Sequence, residues 1–374
     1  MIGMKIRDAK VYHLRVPLED FVKTSFGTMG ERHAVFLELT DENSCTGIGE
    51  SWVNYPKWAA WERRAAFEQV YIPYLKGRTC NDIHAFMIEM ARNLRGPSLQ
   101  SMTIGPLIQA LCGVELALWD LAAKVHNVPL SKLLFSNPAS SVRVYASGLS
   151  SPLPWKLIDH YLACGVKVFK LKVGFGSEDI RNLGELNKYL GESARISVDA
   201  NRAWTLEEAM DWLKILKDFN VLWLEEPLKA EEEYRIDILA DKKMVSLAGG
   251  ENYWVEPGRD DPLACAALPL DIFQPDITKN FPLSDALELL KKVKLQGKRM
   301  YPHFFGSAPG QAACLHFSAG CGDVFQEMDI SVNALRTDLF TEPIVIKDGA
   351  VTLPDKPGLG WELNREMIDK LRIA

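Results

Sequence analysis

Between residues 168 and 327 the chain repeats one small unit, a short apolar run ending in an acid, a base or a metal-type residue. The runs VFKLK, ISVDA, VLWLEE, VSLAGGE, DIFQPD, RMYPH and DVFQE deliver Lys172, Asp199, Glu225, Glu251, Asp276, His303 and Glu327. The intervals between these residues are 27, 26, 26, 25, 27 and 24. That period holds one strand, one helix and two loops, the unit of a parallel β/α array. Such an array can close into a barrel, and residues ending its strands then face one shared mouth. The spacing therefore predicts a fold and a site together.

The flanking segments fit that plan. VRVYASG from Val142 reads as a first barrel strand, followed by a helix near Pro154–Cys164. Thr205 and Glu208 form a T-x-x-E capping box, with Leu206, Ala209, Leu213 and Leu216 on one face of the helix behind it. The helix after Asp276 is expected to open at Ser284 and stop at Gly297, a C′ glycine. Residues 1–60 alternate like strands, with Gly47 and Gly49 marking tight backbone. Within 57–134, Trp58, Trp61, Ala65, Phe67 and Val70 fall at i, i+3, i+4 spacing, and Ile108–Lys124 is a longer amphipathic run. Strands followed by helices without alternation indicate a separate α+β domain. After Glu327 the rhythm stops, and VIKDGAVTLPDKPGLGW reads as a hairpin returning to that first domain. The expected division is a barrel at 135–335, with 1–134 and 336–374 forming the cap.

At 374 residues, 47% apolar and 25% charged, the chain has the composition of a soluble globular protein with one barrel and an added domain. A net charge of −6 without a Lys/Arg block argues against nucleic acid as partner. It leaves room for an anionic small molecule, since a local lysine cluster can dominate a recess. Seven scattered cysteines without a CxxC read as reduced thiols, and MIGMKIRDAK lacks the plan of a signal peptide, so a cytoplasmic location is expected. LIQALCGVELALWDLAAK carries Gln109, Glu115 and Asp120, which makes it a core helix and not a membrane span.

Lys170 and Lys172 lie two apart on one strand and share a face. Crowded inside a barrel, their repulsion and burial should lower at least one pKa toward neutrality and yield a general base. Asp199, Glu225 and Glu251 end three consecutive strands. Three converging carboxylates need a cation, and hard oxygen donors suit Mg²⁺ better than zinc. Glu226 should point away from Glu225 and serve behind it. Asp276 beside His303 would fix the imidazole tautomer and raise its pKa, as an acid/base histidine requires. Glu327, if protonated, could donate to developing negative charge. His13, His33, His84, His126, His160 and His316 read as structural.

The ordered set KLK (170–172), VDAN (198–201), WLEEP (223–227), GGEN (249–252), QPD (274–276), PH (302–303) and QE (326–327) resembles the enolase superfamily, specifically its mandelate racemase group. GIGES (47–51), ALCGVELALWDLAAK (110–124) and PGLG (357–360) resemble segments of the family's cap. The resemblance implies an α/β fold, a modified TIM barrel of (β/α)7β form with an α+β capping domain completed by the C-terminal segment. It also implies abstraction of the proton α to a substrate carboxylate. A Lys or His base acting beside Mg²⁺ is the general pattern of enolase-superfamily sites and is not something read from this chain alone.

On that resemblance one Mg²⁺ per subunit is held by Asp199, Glu225 and Glu251 and stabilises an enediolate. Lys172 and His303 address the two faces of the substrate carbon from nearly opposite sides of the mouth. Asp276 supports His303, Lys170 tunes Lys172, and Glu327 supports the opposite oxygen. Asn201, Lys23 and Glu226 are candidate substrate contacts. Specificity is expected from cap loops at 19–30 and 51–58, where Lys23, Thr24 and Ser25 suit a polyhydroxylated or dianionic distal group and Phe21, Phe26, Trp52 and Tyr55 suit an apolar one, although such aromatics more often read as cap core. Dehydration of an acid sugar to a 2-keto-3-deoxy acid is the favoured outcome, with racemisation or epimerisation of a 2-hydroxy acid on the same site as the alternative. The expected partner is a small polyhydroxylated carboxylate, and the expected assembly a homo-oligomer. A barrel that only binds would have no use for the Lys/His pair.

Overall fold

The computed structural model describes residues 3–24, 27–219, 221–253 and 264–373, the side chains of 19–24 and 264 excepted. The chain begins as an antiparallel sheet of β1 (Met4–Thr24), β2 (Gly27–Asp41), β3 (Thr46–Ser51) and β4 (Thr79–Cys80), in the order β3-β2-β1-β4. Helices Ala59–Ala66, Ile83–Ser101 and Ile104–Val125 follow. Of the segment 19–30, expected as a loop, residues 19–24 belong to β1 and 27–30 to β2, whose ladder reaches Thr24 and Gly27.

Eight parallel strands come next: β5 (Ser141–Leu149), β6 (Val168–Lys172), β7 (Arg195–Asp199), β8 (Leu224–Glu225), β9 (Leu247–Gly249), β10 (Ile272–Phe273), β11 (Arg299–Met300) and β12 (Gln326–Asp329). Each pairs with the next from β5 to β11, and β12 returns to pair with β5. Between β11 and β12 side chains bridge the seam. Gln326 Nε2 donates to the Pro302 carbonyl at 3.1 Å, and the Phe304 N–H donates to Glu327 Oε2 at 3.1 Å. Crossover helices include Trp155–Ala163, Glu178–Leu190, Leu206–Leu216, Leu283–Leu295 and Ala308–Ser318. This is the barrel that the repeat implied, in the modified TIM form with a capping domain that the resemblance implied. The Thr205–Glu208 capping box is present, and Leu206, Ala209, Leu213 and Leu216 form the buried face behind it. Gly297 follows the helix Leu283–Leu295 with φ 68°, the left-handed conformation a C′ glycine supplies. Ser284 is not the cap; its N–H and hydroxyl donate to Glu115 instead.

The hairpin after the barrel forms, but its strand β13 (Ala350–Thr352) adds antiparallel to β5. Only later does the chain reach the cap, where Arg365 meets Glu38 and the Ile373 N–H donates to the His13 carbonyl.

Acids buried between cap and barrel lock the two together. The helix Ile104–Val125 is long and apolar enough to cross a membrane, yet most of it is buried and its carboxylates serve as clamps. Asp120 accepts the N–H groups of Ile48 and Leu359, while Glu115 accepts those of Ser284. β3 rests directly on this helix, and a Cβ at Gly49 would run into the Gly113 carbonyl. Glu50, at the end of β3, receives Ser307 N–H (2.8 Å), Ser307 Oγ–H (2.6 Å) and Gly310 N–H (2.8 Å), the opening groups of the helix Ala308–Ser318. A carboxylate at a helix N-terminus is favourable both as a partner for orphan N–H groups and against the dipole. Burial nevertheless lifts its pKa to about 7. Nearby, Arg32 of β2 reaches Asp329 of β12 at 3.2 Å, both 1% exposed, and stacks over Phe305.

Candidate active site

Parallel register builds the centre of the site. Lys172 pairs with Asp199 and Asp199 with Glu225, so three neighbouring strands present these residues on one rung. Lys170 sits one layer deeper in the barrel. Its ammonium contacts Glu225 Oε1 (2.6 Å), Glu327 Oε1 (2.8 Å) and Asp199 Oδ2 (3.5 Å). Lys172 Nζ donates to Asp199 Oδ2 and Asn201 Oδ1, both at 2.6 Å. The two lysines do share a face, as their spacing requires.

Their titration departs from expectation. Burial pulls both lysines down, and Lys170 also pulls Lys172 down. The surrounding carboxylates, Glu225 and Glu327 for Lys170 and Asp199 for Lys172, outweigh this and hold both pKa values above the ordinary one. Sequence spacing reveals the like charge two residues away but not the acids brought in from other strands. Glu327 reverses in the same way. Burial would raise it, yet Lys170 and His303 bring it below the usual carboxylate range, so it is an acceptor and not a protonated donor. The acids held up are Glu225, at about 7, and Glu226, at about 8, both mainly through burial.

His303 and Asp276 meet as the sequence suggested, Nδ1 to Oδ2 at 2.8 Å. Asp276 is fixed in turn by the N–H and hydroxyl of Thr278 (2.8 and 2.6 Å). The other ring nitrogen lies 3.1 Å from Glu251 and 3.7 Å from Glu327. Burial opposes the imidazolium, but Glu251, Glu327 and Asp276 prevail and raise His303 to about 9. Glu251 is pulled down by His303 and Lys279 against its burial. Lys279 reaches Glu251 at 3.0 Å and Asn252 at 2.9 Å, with its ammonium over the Trp52 ring. Glu226 takes a left-handed φ of 40°, accepts from Asn252 Nδ2 at 2.7 Å and interacts electrostatically with Glu251. Positive φ breaks the alternation assumed for it, which keeps it beside the other acids.

A cavity of about 410 Å³ opens above these groups, a size suited to a small ligand. Lys172, Asn201, Glu251, Asn252, Lys279, His303, Phe305 and Glu327 line it from the barrel, while Met29, Trp52, Asn54, Tyr55, Arg63 and Gln109 line it from the cap. Trp52 and Tyr55 are thus cavity wall and not buried cap core. The side chains of Phe21, Lys23 and Thr24, and residues Ser25 and Phe26, lie outside the described residues. The sequence reading missed Lys279, Asn54, Arg63 and Gln109. Lys279 could have been suspected from its place three residues past Asp276. Arg63 was hidden by the helix-face assignment. Trp58 and Trp61 are 61% and 43% exposed, while the buried face of Ala59–Ala66 carries Ala59, Ala60, Arg63 and Ala66.

The donor set suits a hard divalent cation. Asp199, Glu225, Glu226, Glu251, Asp276 and Glu327 supply six carboxyl groups against four cations, Lys170, Lys172, Lys279 and protonated His303. Burial and neighbouring negative charge lift Glu225 and Glu226, the response a dication would relieve. Among the described residues no three His, Cys, Asp or Glu side chains are arranged as a ligand set for a metal ion; lysines and His303 hold the carboxylates.

Comparison with known proteins supports this fold. Residues 6–134 match the family model described as mandelate racemase / muconate lactonizing enzyme, N-terminal domain, and 156–367 match the enolase C-terminal domain-like model. A mandelate racemase/muconate lactonizing enzyme structure from Bordetella bronchiseptica RB50 superposes with a TM-score of 0.89 at 30% identity, covering 99% of both chains. An L-talarate/galactarate dehydratase variant, liganded with Mg and L-glucarate, gives a TM-score of 0.85 at 25% identity over 100% of this chain and 93% of that one. D-galactarolactone cycloisomerase of Agrobacterium fabrum is 26% identical over 99% of each chain. Other relatives, at 22–29% identity, include dehydratases, cycloisomerases and an epimerase.

Proposed function

Since this chain belongs to the mandelate racemase/muconate lactonizing enzyme family of the enolase superfamily, we propose that it removes the proton α to the carboxylate of a small polyhydroxylated acid. The enediolate then loses its β-hydroxyl as water, giving a 2-keto-3-deoxy acid. The observation that carries this reading is the pair Lys172 and His303, which line one cavity yet are held by separate carboxylates.

Asp199, Glu225 and Glu251 would hold Mg²⁺. When bound, the ion supplies positive charge to the substrate carboxylate, where the weakly acidic α-proton most needs help. Asp199 is the chief group keeping a proton on Lys172. With that carboxylate engaged as a ligand, burial and Lys170 remain to pull the Lys172 pKa down, and the lysine can accept the α-proton. Lys170 stays protonated on Glu225 and Glu327. Asn201, which accepts from Lys172, aims its ammonium group.

Asp276 fixes Nδ1 of His303 and leaves the Nε2 proton for the departing hydroxyl. One proton moves from carbon to Lys172, one from His303 to oxygen, and the C–O bond breaks. The resulting enol becomes the keto acid. Glu251, the group that raises the His303 pKa most, would be engaged by Mg²⁺, while the Asp276 hydrogen bond at Nδ1 still favours the protonated ring that can act as an acid.

The test is incubation with Mg²⁺ in D₂O and a panel of acid sugars and 2-hydroxy acids. A 2-keto-3-deoxy product supports dehydration. Deuterium at the α-carbon without water loss gives the racemase or epimerase reading instead. Failure of every acid to react or exchange sinks both.

A further inference from the structure

Asp199 and Glu225 stand in paired strands, but Glu251 does not. β9 ends at Gly249, so Glu251 lies two residues past the strand, beyond a glycine at φ 144°. Strand register does not aim its carboxylate, and neighbouring side chains must. They come from the loop after β10. Asn280, 3% exposed, donates to the Gly250 and Tyr253 carbonyls (2.6 and 2.8 Å) and so holds the backbone on both sides of Glu251. Lys279 donates to Glu251 Oε2 (3.0 Å) and to Asn252 Oδ1 (2.9 Å). Its ammonium lies 4.7 Å from the centre of the Trp52 ring, and the Trp52 N–H donates to the Thr278 carbonyl at 2.9 Å. The cap thus grips this loop twice, by its backbone and by the end of Lys279.

We propose that Lys279 is a positioning residue for Glu251 as a metal ligand, and that Trp52 holds Lys279 in that task, so the cap helps to build the metal site as well as covering it. This rests on the reading of Asp199, Glu225 and Glu251 as the Mg²⁺ carboxylates. A lysine has a long flexible stem and much rotamer freedom to lose, so a single hydrogen bond fixes its end poorly. Asn252 and the Trp52 face remove that freedom, the ring through the attraction of its quadrupole for a buried cation. His303 also touches Glu251 Oε2, at 3.1 Å, but its Nε2 is the atom that faces the substrate in the proposed reaction. Lys279 is then the standing partner of the carboxylate, and partners behind a ligand set its orientation.

The test is magnesium calorimetry on the full-length, metal-depleted protein without substrate, so that a lost substrate wall does not enter. Trp52→Leu removes the ring and no charge; it should weaken Mg²⁺ binding by about 5–30-fold, the span of a desolvated cation–π contact. Trp52→Phe, which keeps an aromatic face, should stay within about threefold of the parent. Lys279→Met should weaken binding by about 10–100-fold, as loss of a group behind a metal ligand does, and Lys279→Arg should recover most of it. Trp52→Leu added to Lys279→Met should change nothing further, since Trp52 acts through the lysine. Effects that simply add overturn the proposal. So does an Mg²⁺ affinity in Lys279→Met equal to or tighter than the parent's, the result for an ammonium that only repels the dication. If the unsubstituted protein binds no Mg²⁺, the three-carboxylate reading falls and takes the proposal with it. If it binds Mg²⁺ and the variants match it, the proposal alone falls.

Discussion

The two walls of the cavity are built on opposite principles. On the barrel wall every charged side chain is held by an opposite charge or a hydrogen bond, and the set forms one network from Lys170 to Glu251. On the cap wall, among the described residues, the Asn54 side-chain amide has no hydrogen-bond partner and the Arg63 Nε has none either. The barrel groups stand on or just past strand ends, where register with neighbouring strands sets their height and mutual distance. The cap groups stand on a loop and a helix face, which neighbouring strands do not fix. A wall of mutually paired charges can hold protons in defined places.

The comparison breaks most visibly through the barrel wall. Lys172→Ala and His303→Asn should each lower turnover by about 10²–10⁴-fold, the usual contribution of positioned acid/base groups, with Mg²⁺ affinity largely retained. Product formation and magnesium calorimetry read the two quantities separately, and wild-type turnover in both variants would end the acid/base assignment. A second test addresses the seam joining the walls. Arg32→Ala leaves Asp329 buried without its ion pair, which should cost about 3–5 kcal/mol in urea unfolding. Replacing both residues by apolar ones should recover most of that loss; a single variant as stable as the parent contradicts the role of the pair.

Glu50 sharpens the contrast through pH. Its folded pKa of about 7 exceeds the ordinary 4.5 because burial outweighs the donors from Ser307 and Gly310. A raised acid contributes its full stability below the unfolded pKa and loses it as pH rises through the folded one. The loss between pH 4.5 and 7 amounts to roughly 3 kcal/mol by linkage. Glu50→Gln should flatten this part of the stability profile, and an unchanged slope between pH 5 and 8 assigns the titration elsewhere. The smallest effect concerns the proposed metal carboxylates. Glu251→Gln should weaken Mg²⁺ binding by about 10–100-fold or more, since even groups behind a ligand have effects of that size. Unchanged affinity would remove Glu251 from the set.

Much of this site was legible before folding because strand geometry is local and periodic. A strand, a helix and two loops take up a nearly fixed number of residues, so the recurrence of Lys172, Asp199, Glu225, Glu251, Asp276, His303 and Glu327 reported their common end of the barrel. The KxK spacing placed both lysines on one face, and the adjacency of the sixth and seventh strands predicted the Asp276–His303 contact. The T-x-x-E box fixed a helix start because a cap involves only four successive residues.

Electrostatics and burial were not legible in the same way. Both lysines titrate above their ordinary value, and Glu327 stays ionised, because carboxylates and cations from other strands converge on them; no pair of sequence neighbours contains that sum. Glu226 escaped its expected direction through a positive φ that the chain adopts only where β8 ends. Arg63 was invisible because an arginine on an amphipathic helix reads as solvated, and the exposed Trp58 and Trp61 claimed the inner face on hydrophobicity alone. The sequence by itself determined the barrel, the end that carries the candidate site and the residue types gathered there, since these follow from repeat length and side-chain alternation. Only the tertiary structure decided which charges neutralise one another and what closes the cavity, since both depend on distances between segments the chain order keeps far apart.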